Sequence, residues 1–442
     1  MTKRKNAFYP LALFSYNLST YAFSNRIQFF YIDVLGIGAA AISAVWLLFG
    51  IWNAVNDPLM GQLTDRTRSR WGRRVPYLRF GAIPLAIAFF LMWTPLTVDS
   101  WVTVAYFLLA IFVYDTLSTL LFASFNALFV EITGSLKERA NLAALRETMG
   151  GVGLILAFIL APILSRRLGY PAMGAIIGVV VLIGYMVSTI GIHENPARQD
   201  EEVVGFRESV RRALDNRPFR WFLGAALMRE FNFITLSATV PFWYKYALNI
   251  EGDAVLFGLR LGPGIQEAAL LGVPFVLAIP CLQIWRTVAA RIGPRRAWMA
   301  ASLAWIPGLL VIFLADGFGT GLLGTALIAP GMAGYMMLFV MTLSEIADYD
   351  AVRTGQHREG SLFGIAGLFM RLAFSVQAIL FALMLEPSGY VADAAAQPAA
   401  AVTAIRAIMA LAPIGACLIS VACLSAMRIP KITAQPQPVP AT

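Results

Sequence analysis

The sequence predicts an all-α polytopic membrane protein with twelve transmembrane helices in two six-helix bundles. The first observation is composition: 59% of the 442 residues are hydrophobic and 13% are charged. A soluble domain carries about 25% charged residues, so this chain has too little polar material to cover a soluble surface. The second is a run of apolar stretches long enough to cross a bilayer, which takes about 20 residues each. The third is that Lys and Arg collect on one side of the topology those stretches define.

The stretches lie at roughly 9–35, 38–61, 76–96, 101–131, 142–165, 171–191, 221–247, 262–285, 297–315, 319–346, 361–385 and 401–426. Alternating them across a membrane places 26 Lys and Arg on one side and only Arg166, Arg167 and Arg260 on the other. Cationic loops stay in the cytoplasm, so the basic side and both termini are expected there. The expected location is a cell membrane, multi-pass, of the bacterial inner-membrane kind. The basic start MTKRKNAFYP runs into a long segment rich in Tyr, Asn and Ser, which reads as a retained first helix and not a cleaved signal.

The polar interval at 192–220 divides an N-terminal bundle (1–191) from a C-terminal bundle (221–427), and a Pro-rich tail follows (428–442). Within the interval, FRESVRRALDNRPFR fits a short amphipathic helix on the membrane surface, or a charged linker. The halves echo each other weakly: TDRTRSRWGRR follows the second stretch and WRTVAARIGPRR the eighth. Such an echo fits an internal duplication. Loops on the less basic side are short except EPSGYVADAAAQPAA at 386–400, which reads as irregular.

Several functions are excluded. The net charge of +9 is spread over short loops, with no basic domain for nucleic acid. Cys281, Cys417 and Cys423 suit neither a disulfide framework nor a structural metal site. His193 and His357 lie in loops apart from any carboxylate cluster, and no GxxxxGK[ST] motif is present. No cofactor is expected, and no enzyme. The expected partners are a small-molecule substrate and membrane lipids, with the chain acting as a monomer.

What remains is the polar content of the helices. In AAAISAVWLLFGIWNAVNDPLMGQLTDRTRSRWGRRVPYLR the apolar run ends in Asn53, Asn56 and Asp57. A carboxylate inside an apolar helix is costly and belongs in the protein interior or a wet cavity. These three offer hard oxygen ligands to a small cation, so they form the expected coupling site, for Na+ or H+, with Asp57 the candidate sodium ligand. A hydroxyl-rich substrate calls for amides, guanidinium groups and rings, which Tyr16, Tyr21, Phe125, Asn126 and Arg146 supply. Asn17 lies on the polar face of the first helix and fits either substrate contact or interhelical bonding. Asp115 reads equally as structural or functional. Arg371 lies deep in the eleventh stretch and must be paired or hydrated. Asp65, Arg66, Arg73 and Arg74 at the first basic turn, and Glu345 and Asp348 at the inner end of the tenth stretch, are expected to shape and gate the inner side.

IWNAVNDPLMGQLTDRTRSRWGRRVPYL resembles the second-helix and loop signature of the glycoside–pentoside–hexuronide:cation symporters, a melibiose-permease-like family of the major facilitator superfamily. FYIDVLGI at 30–37, FNALFVEITGSLKERANLAALR at 125–146 and ADYDAVRTGQHREGSLFGIAGLFMRLA at 347–373 are similar to other segments of that family, in the same order. The resemblance implies the major facilitator fold, alternating access, and cation-coupled transport of sugar-like compounds. It places the family's cation-site acids on Asn53 and Asp57, its first-helix sugar acid on Asn17, and its fourth-helix acid and aromatic near Phe122 and Asn126. Its helix 5 arginine falls on Arg146 and its helix 11 lysine on Arg371. Only one of the two cation-site acids is kept, so coupling through Asp57 alone is expected, with uniport as the other outcome. Lysophospholipid carriers of the same family make an amphipathic substrate the alternative, and a non-transporting scaffold of this fold a second.

Overall fold

The computed structural model describes residues 8–67, 69, 71–97, 100–132, 136–192, 206–250, 252–256, 258–354 and 359–429. Apolar stretches coil into helices because each backbone N–H and C=O must be satisfied within its own segment where water is absent. The helices are α1 (Leu11–Phe29), α2 (Ala39–Arg66), α3 (Val75–Phe80), α4 (Ala82–Leu91), α5 (Ser100–Ile132), α6 (Leu136–Leu168) and α7 (Tyr170–Ser188). A short α8 (Phe206–Leu214) follows, in the middle interval, and then α9 (Arg217–Phe242) and α10 (Pro263–Ile292). The remainder are α11 (Pro294–Ala304), α12 (Ile306–Leu314), α13 (Phe318–Leu327), α14 (Ala329–Thr354), α15 (Glu359–Leu385), α16 (Ala399–Arg406) and α17 (Ala412–Ala426). The pairs α3–α4, α11–α12, α13–α14 and α16–α17 each continue one predicted crossing, so the twelve predicted stretches all appear as helical passages.

Among the described residues, eight passages are long and apolar enough to cross a membrane by composition alone. The other four are α1, α2, α3–α4 and α9. Two of these, α1 and α9, carry buried polar side chains that lower their apolar content, among them Asn25, Arg26 and Gln28 on α1 and Asn232 and Thr235 on α9.

Three π-helical turns interrupt the regular helices, at Phe30–Val34 after α1, Trp243–Ala247 after α9 and Ala407–Leu411 between α16 and α17. One extra residue per turn rotates the chain beyond it, and such turns cluster at functional positions. The loop after the second π turn is short, and it has structure of its own. It holds an antiparallel hairpin, β1 (Ala254–Leu256) paired with β2 (Leu259–Leu261). Gln266 of α10 donates to the backbone oxygens of Gly252 and Leu261 at 2.8 and 2.7 Å, satisfying carbonyls of both chain segments at the open end of the hairpin.

Both basic turns bend at a glycine. Gly72 holds φ +103° and Gly293 holds φ +82°, a region that costs other residues a Cβ clash. The weak echo between the two halves therefore extends to the backbone. Contacts group the chain into two compact units. One comprises Met1–Glu202, Ser237–Gly272 and Ala378–Ile405; the other comprises Val203–Leu236, Val273–Gln377 and Arg406–Thr442. In the first unit α1 lies close along α6. A Cβ at Gly153 would overlap the backbone oxygen of Phe14, so the glycine permits the approach.

Candidate functional site

Within the first unit, α2 and α5 run side by side, with Trp52 stacked on Phe112 at 5.0 Å. One turn further along both helices, Asn56 donates its amide to the Asp115 carboxylate at 2.8 Å. Asn56 is fully buried and Asp115 nearly so. Asn53, also buried, turns its amide nitrogen back to the Phe49 oxygen of its own helix at 3.0 Å. The side chains of Asp57, Asp65 and Arg66 lie outside the described residues. Two of the three expected coupling residues thus have defined surroundings, and a third group, Asp115, joins Asn56.

Further substrate-type groups line α1, α5 and α6. Tyr16 of α1 stacks on Phe122 of α5 at 4.2 Å, and Tyr21 meets the edge of Phe158 at 5.6 Å. Asn17 donates to the Gly150 oxygen of α6 at 2.9 Å, the interhelical bond its position allows. The Arg146 guanidinium lies over the Phe125 and Phe129 rings, 4.9 and 5.4 Å from their centroids, and 3.2 Å from the Glu147 carboxylate. Tyr9 stacks on Phe125 from the side at 4.5 Å. Asn126 is half-buried on α5, one residue from Phe125. Rings, amides and one guanidinium therefore share one helical face-to-face region, with neighbouring α1 and α6 locked through Gly150.

The same unit contains a polar cluster that the sequence reading left without a role. Glu267 of α10 is fully buried, 2.7 Å from Arg26 and 2.9 Å from Arg166. Arg166 also lies 4.7 Å from the centroid of the Tyr244 ring. A second centre forms on the π turns. Asp33, on the first, is fully buried and accepts from Lys245, on the second, at 2.7 Å. The hydroxyls of Tyr246 and Tyr390 also donate to Asp33, as does the Asp393 backbone N–H at 3.2 Å. Lys245 reaches the Asp393 carboxylate as well, at 2.7 Å. Tyr390 lies outside the spanning segments, and burial, then the Asp33 charge, push its phenol well above its ordinary range, so it stays a donor.

The end of α1 and the π turn after it pair with residues 237–246 at the end of α9 and its own π turn. Asn25 donates to the Ser237 oxygen at 2.7 Å across 212 residues, and Lys245 pairs with Asp33 across the same 212. Between them, Phe29 meets Phe242 edge-on at 5.0 Å. Glu386 caps the start of α2 by accepting from the Ala40 N–H at 2.6 Å, where a carboxylate suits the helix dipole. Ser43 donates to the Ala378 oxygen at 2.5 Å. The last two contacts lie at the start of α2, the end opposite its arginine-rich turn.

At the first basic turn, Arg74 is nearly buried and Arg73 half-buried. Arg79 donates to the Thr189 hydroxyl and carbonyl at 3.1 and 3.3 Å, holding α3 to the end of α7. In the second unit Glu345 and Asp348 are exposed on α14, while Asp350 is buried. Asp350 accepts from Asn216 at 3.0 Å and from Arg353 at 3.4 Å, joining α14 to the start of α9. Also in that unit, Arg229 pairs with Glu230 at 2.9 Å and donates to the Tyr335 oxygen at 3.0 Å. Arg371 is half-buried there.

The residues missed as site members are Arg26, Asp33, Arg166, Lys245, Glu267 and Asp350. Their signal was present: each is a charge inside or at the edge of an apolar stretch, and such a charge must have a partner.

The profile of the family described as MFS/sugar transport protein matches residues 8–431. The isoprimeverose transporter of Lactiplantibacillus pentosus is 25% identical over 444 residues, covering 96% of this chain and 88% of that protein. The sodium-dependent lysophosphatidylcholine symporter 1-A of Danio rerio is 20% identical over 459 residues, covering 94% of this chain and 83% of that protein. The crystal structure of the nucleoside transporter NupG superposes with a TM-score of 0.71 at 14% identity, over 96% of this chain and 99% of that one, a likeness of fold. A charge-poor, twelve-passage helical chain with a match of this extent is a multi-pass membrane transporter and not an enzyme: it belongs to the MFS/sugar transport protein family, the melibiose-permease-like branch of the major facilitator superfamily.

Proposed function

We propose that this symporter-family protein carries a sugar, glycoside or uronide together with Na+ or H+ by alternating access. The observation that carries the reading is the α1–α5–α6 region, where stacked rings, Asn17 and the ring-seated Arg146 offer the groups a hydroxyl-rich ring compound needs. Asn56 and Asp115 lie on neighbouring α2 and α5. A cation there and a substrate beside α5 would then be linked, each improving binding of the other.

In this reading the bundles 1–191 and 221–427 rock about the site in the monomer. The positive-inside rule assigns the arginine-rich turns and both termini to the cytoplasm of a bacterial inner membrane. The Asp33 and Glu267 clusters then close the outer end, and breaking them accompanies outward opening. Asp65, Arg66, Arg73, Arg74, Glu345 and Asp348 belong to the inner gate, and Arg371 to the substrate path.

The test is uptake into vesicles reconstituted with the purified protein, using labelled sugars, glycosides, uronides and lysophosphatidylcholine under imposed sodium or proton gradients. Uphill movement of a sugar-like compound driven by one gradient is the expected result. Movement of lysophosphatidylcholine alone would replace it with the amphipathic reading, which the similarity to the Danio rerio symporter favours. No movement of any of these compounds would sink the sugar reading.

A further inference from the structure

We propose that Arg26 and Arg166 form a recognition site for the carboxylate of an anionic solute, and that Glu267 is a built-in ligand which the solute displaces. This deepens the transport reading and rests on it for its consequence, although solute binding can be measured without transport.

The chemistry of the site is shown by the group that occupies it. Glu267, near the start of α10, presents a carboxylate to two guanidinium groups from other helices, Arg26 of α1 and Arg166 of α6. It reaches them because α10 begins against α6: a Cβ on Gly264 would lie 3.3 Å from the Ile163 Cα. The two arginines are not served alike. Arg166 donates from Nε to Oε2 at 2.9 Å. The Arg26 Nη2 approaches Oε1 at 2.7 Å, but outside hydrogen-bonding geometry, and its Nε has no acceptor among the described residues. Arg26 is 1% exposed, so bulk solvent does not supply one. A guanidinium carries its N–H donors in a fork that fits a carboxylate edge-on, and buried donors left without an acceptor are costly. The Tyr244 hydroxyl, on the ring beside Arg166, is a further buried donor with no partner among the described residues. Two cations and a phenol thus surround one acid that is aligned with only one of them.

Neighbouring acids are engaged elsewhere. Asp33 accepts from Lys245, Tyr246, Tyr390 and the Asp393 N–H, and Glu386 caps α2. The open edge of the site is Arg166, whose side chain is 34% exposed on the side with few cations, the outer one in the reading above. A solute meets Arg166 first, and its carboxylate passes to Arg26 as Glu267 leaves. One carboxylate replaces another, so the exchange uncovers no unpaired buried charge. The displaced Glu267 frees α10 from α1 and α6, so arrival of the solute itself loosens this end. A neutral sugar lacks the group that does so. Arg146 stands about 30 Å back along α6 by helix rise, so the two arginine sites are separate.

The experiment is calorimetric binding of D-glucuronate, its neutral methyl ester and D-glucose to the purified full-length protein, with melting temperature followed alongside. The variants are Arg26→Gln and Glu267→Gln. The parent is expected to bind glucuronate in preference to both neutral compounds. Arg26→Gln should weaken that binding about tenfold or more, the loss that follows truncation of one member of a buried charge pair. Glu267→Gln should strengthen it about tenfold or more, because the internal competitor has lost its charge. Glucuronate should also raise the melting temperature of Glu267→Gln more than that of the parent. A cluster that is only structural gives no such gain, so weaker or unchanged glucuronate binding in Glu267→Gln would overturn the proposal. So would a parent that binds glucuronate no better than the neutral compounds. Arg26→Gln leaves Glu267 with its aligned partner Arg166 and is expected to fold. If Glu267→Gln does not fold, parent-like glucuronate binding in Arg26→Gln overturns the site. Arg26-dependent binding in a protein that moves no sugar, glycoside or uronide would instead defeat the transport reading alone. Uptake of neutral sugars with no preference for glucuronate would defeat this inference alone.

Discussion

Glu267 and Arg26 face each other at 2.7 Å, and both side chains are withdrawn from solvent. Arg166 approaches the same carboxylate from the other side at 2.9 Å. Two guanidinium groups around one acid leave that acid indispensable. Removing one partner of a buried pair costs about 3–5 kcal/mol, because the other charge stays behind uncompensated. Glu267→Gln should therefore lower the melting temperature and loosen this end of the molecule. Ser237→Cys, at the position that receives Asn25, reports the loosening through its rate of thiol labelling in a background without the three native cysteines. Parent-like melting together with parent-like labelling would show that the cluster locks nothing.

Asp33 and Lys245 should behave as one unit. Neutralising either leaves the other buried or half-buried with excess charge, so Asp33→Asn and Lys245→Met are expected to be strongly non-additive. Residues in direct contact show coupling of about 0.5–3 kcal/mol in a double-mutant cycle. Melting of the two single variants and the double variant measures it, and simple additivity would refute the pairing.

Tyr390→Phe removes a donor to the Asp33 carboxylate, a hydrogen bond to charge worth about 1.5–3 kcal/mol. The phenol's folded pKa lies above its unfolded value, so it favours the folded state in its protonated form. Its contribution should be constant below the unfolded value of about 10 and decline as pH rises above that. The difference in stability between parent and Tyr390→Phe should thus be flat through neutral pH and shrink in alkali. A difference that changes near neutral pH would contradict the protonated donor.

Asp57→Asn should abolish uphill accumulation while leaving the protein in the membrane and allowing exchange of substrate down its own gradient. Counterflow in vesicles separates the two activities. Accumulation at the parent level would remove Asp57 from coupling.

Arg146 rests on two rings, and a planar guanidinium does so better than an ammonium. Arg146→Lys keeps the charge but loses the stacking. An uptake KM raised about tenfold is expected, in line with a cation–π contact worth about 1–2 kcal/mol. Arg146→Ala should be at least as impaired. A lysine variant with unchanged KM would show that charge alone suffices there.

Some of this was legible in the chain. The Asn53–Asn56 pair ends an apolar run, and a polar residue inside such a run marks the interior whatever the neighbours are. The basic turns were legible for a similar reason, and Gly72 and Gly293 confirm that they bend alike. Helical phase was less legible. Glu345, Asp348 and Asp350 are close in sequence, and nothing in the spacing said that Asp350 would turn inward toward Asn216 while the other two face outward. The hairpin after α9 was hidden because three-residue strands carry too few residues for a period-two pattern.

By itself the sequence determined the class of protein, the twelve passages and the two basic turns, because a bilayer imposes length and polarity on each segment separately. Only the tertiary structure decided which buried charge meets which. Glu267 finds Arg166 across 101 residues, Asp33 finds Lys245 across 212, and Asp115 finds Asn56 across 59. A buried charge announces that it needs a partner, but the partner is chosen by how helices pack, and packing joins residues that no local pattern connects.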